Sequence, residues 1–170
     1  MLELNVNEYA PYYKSYIALL SGEPSVIGQL RRSYDEAEGL LKKLPMEKQE
    51  YSYAEGKWTI KEMLQHLIDT ERIFAFRALH IARHDVHALP GFDEADYVIH
   101  SDGNGRDYQD LLEEFETVRK ASLYLFKSLT EEALLRTGLV NNGSVSVRAI
   151  GYLISGHQMH HLNVIRERYL

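Results

Sequence analysis

The chain has 170 residues and a mass of 19.7 kDa, which is the size of one domain, so we expect residues 1–170 to form a single domain. A formal net charge of −6 argues against nucleic acid and anionic membranes as partners, because both recruit basic surfaces. Cysteine is absent, which excludes disulfides, thiolate metal ligands and a cysteine nucleophile. With no signal-peptide pattern and no apolar run close to the ~20 residues of a membrane span, we expect a cytoplasmic protein.

The first half of the sequence predicts three helices. Apolar spacing indicates a helix over about 7–20, and a second that starts after Ser25, runs to about residue 44 and is ended by Pro45. Residues 51–58 are expected to be extended or irregular. Thr59 is the predicted N-cap of a third helix that continues to about residue 83, with Glu62 completing a capping box.

The second half predicts a long loop and two further long helices. The loop covers 84–105, and its length is typical of functional or disordered segments. Helices are expected over about 107–128 and 146–169, with a short helix capped by Thr130 between them and a turn at 141–144. No convincing pair of strands is visible, although residues 139–147 could hold a short extended piece. The expected fold is an all-α, up-and-down four-helix bundle with short additional helices and a long loop after the third helix.

Two histidines near the end of the chain have the spacing of a metal-binding pair. His157 and His161 are four residues apart on a predicted helix, so their side chains differ by about 40° in direction and lie one turn apart. His160 is a less well aligned rival partner for His157, which we expect to be adjacent to the site or at the surface. Gln158 follows His157 where a zincin protease would carry a glutamate general base, and this argues against that class.

His66, on the predicted third helix, is the candidate for a third ligand. Three histidines and a water would complete an open site of the catalytic type. Asp69 could orient a ligand imidazole, and Arg77 could neutralise an anionic substrate or simply pair with an acid. Both are weak candidates for catalytic residues. In the alternative structural interpretation, the histidines are solvated or hydrogen-bonded side chains that never converge.

A second group of histidines lies at the predicted end of the third helix. His80, His84 and His87 also have helical spacings, and Asp85 lies among them. Because helix ends that carry histidines are commonly exposed, we interpret this group as a secondary candidate site.

Three segments together resemble the DinB/YfiT-like superfamily. They are Gly56-Lys57-Trp58-Thr59-Ile60-Lys61-Glu62 with His66-Leu67-Ile68-Asp69-Thr70-Glu71, then Pro90-Gly91-Phe92-Asp93-Glu94-Ala95-Asp96-Tyr97, and finally Gly156-His157-Gln158-Met159-His160-His161. The resemblance covers nearly the whole chain. It implies a four-helix bundle, often dimeric, that holds a divalent metal through His66, His157 and His161. It also implies one of two activities, a thiol-dependent transferase or a metal-dependent hydrolase.

The leading hypothesis is therefore an enzyme that uses a divalent metal, zinc or nickel, on a small-molecule substrate. A low-molecular-weight thiol cosubstrate would make it an S-transferase, whereas water would make it a hydrolase. The alternative is a non-catalytic dimeric helical module that binds a metal or small molecule as a sensor or store. We expect a homodimer in either case, with no nucleic acid and no membrane as partner.

Overall fold

A computed structural model describes residues 4–5 and 7–170 of the chain and contains four long helices. The helices, in chain order, are α1 (Lys14–Ile17), α2 (Val26–Leu41), α3 (Met46–Gln49), α4 (Ile60–Ala82), α5 (Glu94–His100), α6 (Tyr108–Lys127), α7 (Glu131–Leu135) and α8 (Val147–Arg168). Short 3-10 turns lie at Pro11–Tyr13 and Gly103–Gly105. The predicted all-α four-helix bundle with short additional helices is confirmed.

The bundle is formed by α2, α4, α6 and α8, and α2 and α4 each pack against both α6 and α8. At one end the hydroxyl of Tyr169 donates to the carbonyl of Trp58 at 2.6 Å, so α8 ends where α4 begins. The hydroxyl of Tyr108, at the start of α6, donates to the carbonyl of Leu41 at the end of α2 at 3.0 Å. In the four-helix bundle, α2 and α8 thus run one way and α4 and α6 run the other.

The connection between α4 and α6 allows these two helices to run in the same direction. The connection runs back along α4 to the start of that helix. Near the end of the connection, Oδ1 of Asn104 accepts a hydrogen bond from the hydroxyl of Thr59 at 2.6 Å. The segment was predicted as a loop over 84–105, but it contains α5 and a 3-10 turn. Asp93 supplies the missed helix signal, since its carboxylate accepts from the backbone N–H groups of Ala95 and Asp96 as an N-cap.

The helix starts agree with the caps in the sequence. Thr59 and Glu62 form the predicted capping box at α4, and Thr130 caps α7 through the backbone N–H of Ala133. Ser25 and Ser146 cap α2 and α8 in the same way. These side chains bond the N–H groups that a helix start leaves free, and so they fix where each helix begins.

Two helix boundaries and one strand pair differ from the prediction. The helix expected over 7–20 is confined to α1 and the 3-10 turn that Pro11 opens, because proline favours a helix start and not its interior. Helix α2 ends at Leu41, three residues before the expected end at Leu44, while Pro45 is the N-cap of α3. An antiparallel hairpin of β1 (Thr137–Val140) and β2 (Gly143–Ser146) occupies a segment in which no strand pair was predicted.

The turn of this hairpin explains the missed strands. Asn141 and Asn142 both have positive φ, 47° and 62°, which is the backbone that a two-residue turn needs between twisted strands. Asparagine tolerates that conformation, so Asn-Asn followed by Gly143 is a hairpin signal in an otherwise helical sequence. Within the described residues, no helix is both long enough and apolar enough to cross a membrane.

Candidate metal centre

Three histidines lie on the facing sides of the neighbouring antiparallel helices α4 and α8. His66 is in the second turn of α4, and His157 and His161 are one turn apart in α8. All three are buried, with exposed fractions of 2%, 5% and 9%. The structure therefore brings together the residues that spacing and resemblance had selected.

The three imidazoles converge through the same ring nitrogen. Nε2 of His157 lies 3.0 Å from Nε2 of His66 and 3.1 Å from Nε2 of His161, and the three ligand atoms all lie within 4.8 Å of one another. Nitrogen ligands about 2.0–2.1 Å from a tetrahedral ion are separated from each other by roughly 3.3–3.4 Å. The observed separations are close to that value, so the arrangement fits a single metal ion.

Burial keeps these histidines in the neutral form that ligates metals. It lowers the pKa of His66 from 6.5 to about 4. The pKa values of His157 and His161 are lowered well below the ordinary range, first by burial and then by the neighbouring histidines. Neutral imidazoles direct lone pairs from Nε2 when Nδ1 carries the proton.

The hydrogen bonds around the cluster support the same interpretation. Nδ1 of His66 lies 3.4 Å from the hydroxyl of Thr70, a contact that is compatible with the Nδ1–H tautomer, in which Nε2 is free to bind. Nδ1 of His161 is buried without a hydrogen-bond partner among the described residues. When each ring carries its proton on Nδ1, the three converging Nε2 lone pairs cannot satisfy one another, whereas one cation would accept all of them.

Aromatic rings enclose the three histidines. The ring of Trp58 lies 4.8 Å from the ring of His66, and the ring of Tyr16 lies 5.5 Å from that of His157. Tyr16 is in α1, so this short helix closes one side of the site. No role was predicted for Tyr16 or Thr70, because neither side chain is an imidazole or a carboxylate.

Two cavities reach the cluster from different sides. The first, which we call the tyrosine cavity, has a volume of about 430 Å³, and its walls include Tyr12, Tyr13, Tyr16, Phe74, Arg77 and His157. The second, the tryptophan cavity, has a volume of about 360 Å³, and its walls include Tyr53, Lys57, Trp58, His160, His161 and Tyr169. Both volumes are in the range of small-molecule sites, and each cavity reaches one ligand of the pair on α8.

The two weak catalytic candidates lie in different surroundings. Arg77 lines the tyrosine cavity. The carboxylate of Asp69 instead accepts from Nε2 of Gln65 at 3.0 Å and lies 3.8 Å from Arg72. It is Thr70, and not Asp69, that contacts His66.

The remaining histidines do not join the cluster. His160 lines the tryptophan cavity, with its ring 5.1 Å from that of His161, in keeping with a place adjacent to the site. His80 and His87 both contact the carboxylate of Asp85, at 3.3 and 2.6 Å, and the side chain of His87 is 85% exposed. In the part of the chain that the structure describes, only His66, His157 and His161 gather three candidate ligand atoms in this way.

Comparison with known proteins agrees with the fold and the histidine arrangement. The sequence model of the DinB superfamily matches residues 29–165, which is most of the chain. The chain belongs to the DinB superfamily. The matched region begins in the first turn of α2 and ends in the last turn of α8, so it includes all three histidines of the cluster.

Two similar proteins carry names that refer to metal-dependent chemistry. A protein of Oceanobacillus iheyensis named "Putative metal-dependent hydrolase OB0413" is 27% identical over 117 residues, which are 68% of this DinB-superfamily chain and 66% of the relative. The structure of YfiT from Bacillus subtilis, titled "a probable metal-dependent hydrolase with an unusual four-helix bundle topology", matches with a TM-score of 0.76 at 19% identity. That match covers 95% of this chain and 92% of YfiT. It shows that the two proteins share a fold.

Proposed function

We propose that this DinB-superfamily protein is a metal-dependent enzyme that acts on a small molecule, with His66, His157 and His161 as the protein ligands of one divalent ion. The observation that carries the proposal is the convergence of three neutral Nε2 atoms, with separations of 3.0 and 3.1 Å from the central one. Zinc or nickel is the proposed ion, because both accept imidazole ligands and the cluster contains no thiolate or carboxylate.

Three histidine ligands leave a coordination position open for a reactant. A divalent ion held there supplies a Lewis acid that polarises a substrate and lowers the pKa of a coordinated water or thiol. The rings of Trp58 and Tyr16 pack against His66 and His157 and so reduce the exposure of these imidazoles to bulk water. Thr70 orients His66 by contact with Nδ1, so the ring presents Nε2 without rearrangement.

The two cavities favour a reaction with two organic reactants over simple hydrolysis. The tyrosine cavity meets the cluster at His157 and the tryptophan cavity meets it at His161, so two molecules can approach one ion from different sides. A hydrolase needs space for one organic substrate and a water. We therefore propose S-transfer with a low-molecular-weight thiol cosubstrate as the first activity to test, and metal-dependent hydrolysis as the second.

Metal analysis of protein purified without a histidine tag tests the ligand set. We expect about one zinc or nickel ion per chain, and loss of that ion in His157→Ala and His161→Ala. His160→Ala is the matched control, since it removes a neighbouring imidazole on the same helix and should leave the metal content unchanged. Metal-free protein, or variants that retain full metal content, would contradict the proposal.

A screen for activity then separates enzyme from binding module. Metal-loaded protein is incubated with several low-molecular-weight thiols and electrophiles, and in parallel with hydrolase substrates. Turnover that is lost in His157→Ala supports catalysis and identifies the reaction class. Stoichiometric metal without turnover in any assay would favour the non-catalytic alternative.

We also propose a homodimer in the cytoplasm. Phe76 and Leu79 on α4 have exposed fractions of 56% and 39%, and such apolar side chains suit a contact with a second copy. Light scattering on the purified protein measures the mass of the assembly, and a mass of one chain would overturn the dimer. Cell fractionation tests the location.

A further inference from the structure

Arg77 places a buried positive charge against the tyrosine cavity. Arg77 is only 5% exposed, and it lies on α4 eleven positions after His66. Its guanidinium lies 5.5 Å from the ring centres of both Phe74 and Phe92. Such rings stabilise a cation by their electron-rich faces but do not neutralise it.

The guanidinium has a single hydrogen-bond partner among the described residues. Its Nη2 donates to the carbonyl of Pro90 at 3.0 Å, and in that part of the chain no carboxylate lies within 4.0 Å of it. Burial lowers the pKa of Arg77, but arginine starts so high that the group stays charged near neutral pH. Buried charges are ordinarily paired, so this one is short of an anion.

The acids of the same cavity do not fill that role. The carboxylate of Asp93 accepts the backbone N–H groups of Ala95 and Asp96 at 3.0 and 3.1 Å as the cap of α5. Glu94 is exposed at the rim and makes no ion pair with Arg77. The remaining guanidinium N–H groups are therefore available to a ligand, in the planar arrangement that matches a carboxylate.

We propose that Arg77 is the anchor of a carboxylate-binding subsite, so that the substrate in the tyrosine cavity is a small organic acid with an aromatic or apolar body. The walls support such a body, since Tyr12, Tyr13, Tyr16 and Phe92 are all aromatic. This assignment of the substrate class rests on the proposed function. The binding of an anion to Arg77 does not depend on the proposed function.

The dimensions suit a molecule that spans the cavity. Thr70 and Arg77 both line it, and seven residues of helix separate them by about 10 Å along the axis. A carboxylate bound at Arg77 would leave the body of the molecule in the same cavity as Thr70 and His157, which also line it. The reacting group would meet the histidine cluster while the acid stays remote from it.

The test compares 3-phenylpropanoate with its neutral amide by titration calorimetry, using protein of measured metal content. We expect the carboxylate to bind roughly tenfold or more tightly than the amide, because a hydrogen-bonded pair with a buried charge is involved. Arg77→Met should abolish the difference, and Arg77→Lys should retain part of it. Arg72→Met is the matched control, since its side chain is 50% exposed and ion-paired with Glu114.

His161→Ala distinguishes this subsite from the metal. That variant removes a proposed metal ligand without altering the walls of the tyrosine cavity, so the preference for the carboxylate should persist in it. If the preference disappears there but survives in Arg77→Met, the carboxylate binds the metal and the subsite is overturned. Equal affinity of wild-type protein for acid and amide overturns it as well, whereas a preference in metal-free wild-type protein supports the subsite even if the metal proposal fails.

Discussion

The hydroxyl of Thr70 occupies a position from which it can tune a metal ligand. It lies 3.4 Å from Nδ1 of His66 and is buried, with an exposed fraction of 3%. Partners of this kind fix the orientation and tautomer of a ligating imidazole, and their loss typically weakens metal binding about 10–100-fold. Thr70 is therefore expected to act through His66.

We predict that Thr70→Val lowers metal affinity about tenfold or more with little change in overall shape, because valine keeps the branched side chain but lacks the hydroxyl. Competition with a chelator of known affinity measures the change. Thr70→Ser retains the hydroxyl and should bind metal more tightly than Thr70→Val. Equal affinities for the valine variant and the wild-type protein would exclude the assigned role.

Acid should destabilise the metal-free protein through the same histidines. The pKa of His66 is lowered from 6.5 to about 4 by burial, so the unfolded chain takes up a proton on this residue at a higher pH than the folded chain. The free energy of unfolding should thus fall as pH decreases from about 6.5 toward 4. His157 and His161 act in the same direction.

The free energy of unfolding is measured by urea denaturation at a series of pH values, with protein from which a chelator has removed the metal. His66→Gln, which does not titrate, should show a shallower fall over that window than the wild-type protein. An unfolding free energy that stays constant between pH 6.5 and 4 would falsify the prediction.

The histidine cluster was predictable in part because helix geometry is regular. A spacing of four residues places His157 and His161 on one face of α8 whatever surrounds them. His66 was selected from its place on the predicted third helix and was supported by the resemblance, since no local rule relates residues 91 positions apart. Tyr16 could not be predicted, because its contact with His157 depends on how α1 crosses α8.

Helix α1 reaches the histidine cluster by packing closely against a glycine of α8. A Cβ added to Gly156 in α8 would lie 2.5 Å from the carbonyl oxygen of Tyr16, which is backbone and cannot turn aside. Glycine therefore permits the approach that puts the ring of Tyr16 beside His157.

We predict that Gly156→Ala displaces α1 and destabilises the protein, although alanine is the better helix former. Gly39→Ala in α2 is the matched control, because a Cβ there meets nothing within 4 Å and should stabilise the helix by about 1 kcal/mol. In thermal unfolding, the midpoint temperature should fall for Gly156→Ala and rise for Gly39→Ala. An increase in stability for Gly156→Ala would show that the close packing is unimportant.

Helix boundaries were predictable where the sequence of the helix itself contains a capping motif. The capping box at Thr59 and the N-cap at Thr130 are local, and both helices begin where expected. The hairpin of β1 and β2 was missed because its strands are only four residues long and its signal lies in the Asn-Asn turn. Helix directions within the bundle depend on contacts between distant segments, such as Tyr108 with Leu41.

One buried ionic network joins the four helices of the bundle. Arg119 in α6 donates to both carboxylate oxygens of Glu71 in α4 at 2.8 Å, and also to Oε1 of Gln158 in α8. Gln158 in turn donates to the carbonyl of Ser33 in α2. Because Gln158 is the neighbour of His157, the network also fixes the register of α8 in which the histidine pair faces His66.

Removing one partner of this network should be costly. Arg119→Met leaves Glu71 buried without its counter-charge, and such a loss typically costs about 3–5 kcal/mol. Lys120→Met, which breaks the exposed pair with Glu116, should cost no more than about 1 kcal/mol. Urea denaturation of the metal-free proteins compares the two variants on neighbouring positions of α6.

A double variant separates the charge effect from simple loss of packing. Arg119→Met combined with Glu71→Gln removes both charges, so it should recover part of the stability that Arg119→Met loses. Its metal affinity should stay below that of the wild-type protein, because Gln158 no longer has the guanidinium that holds it. If the double variant is less stable than Arg119→Met alone, then packing, and not an unpaired charge, accounts for the loss.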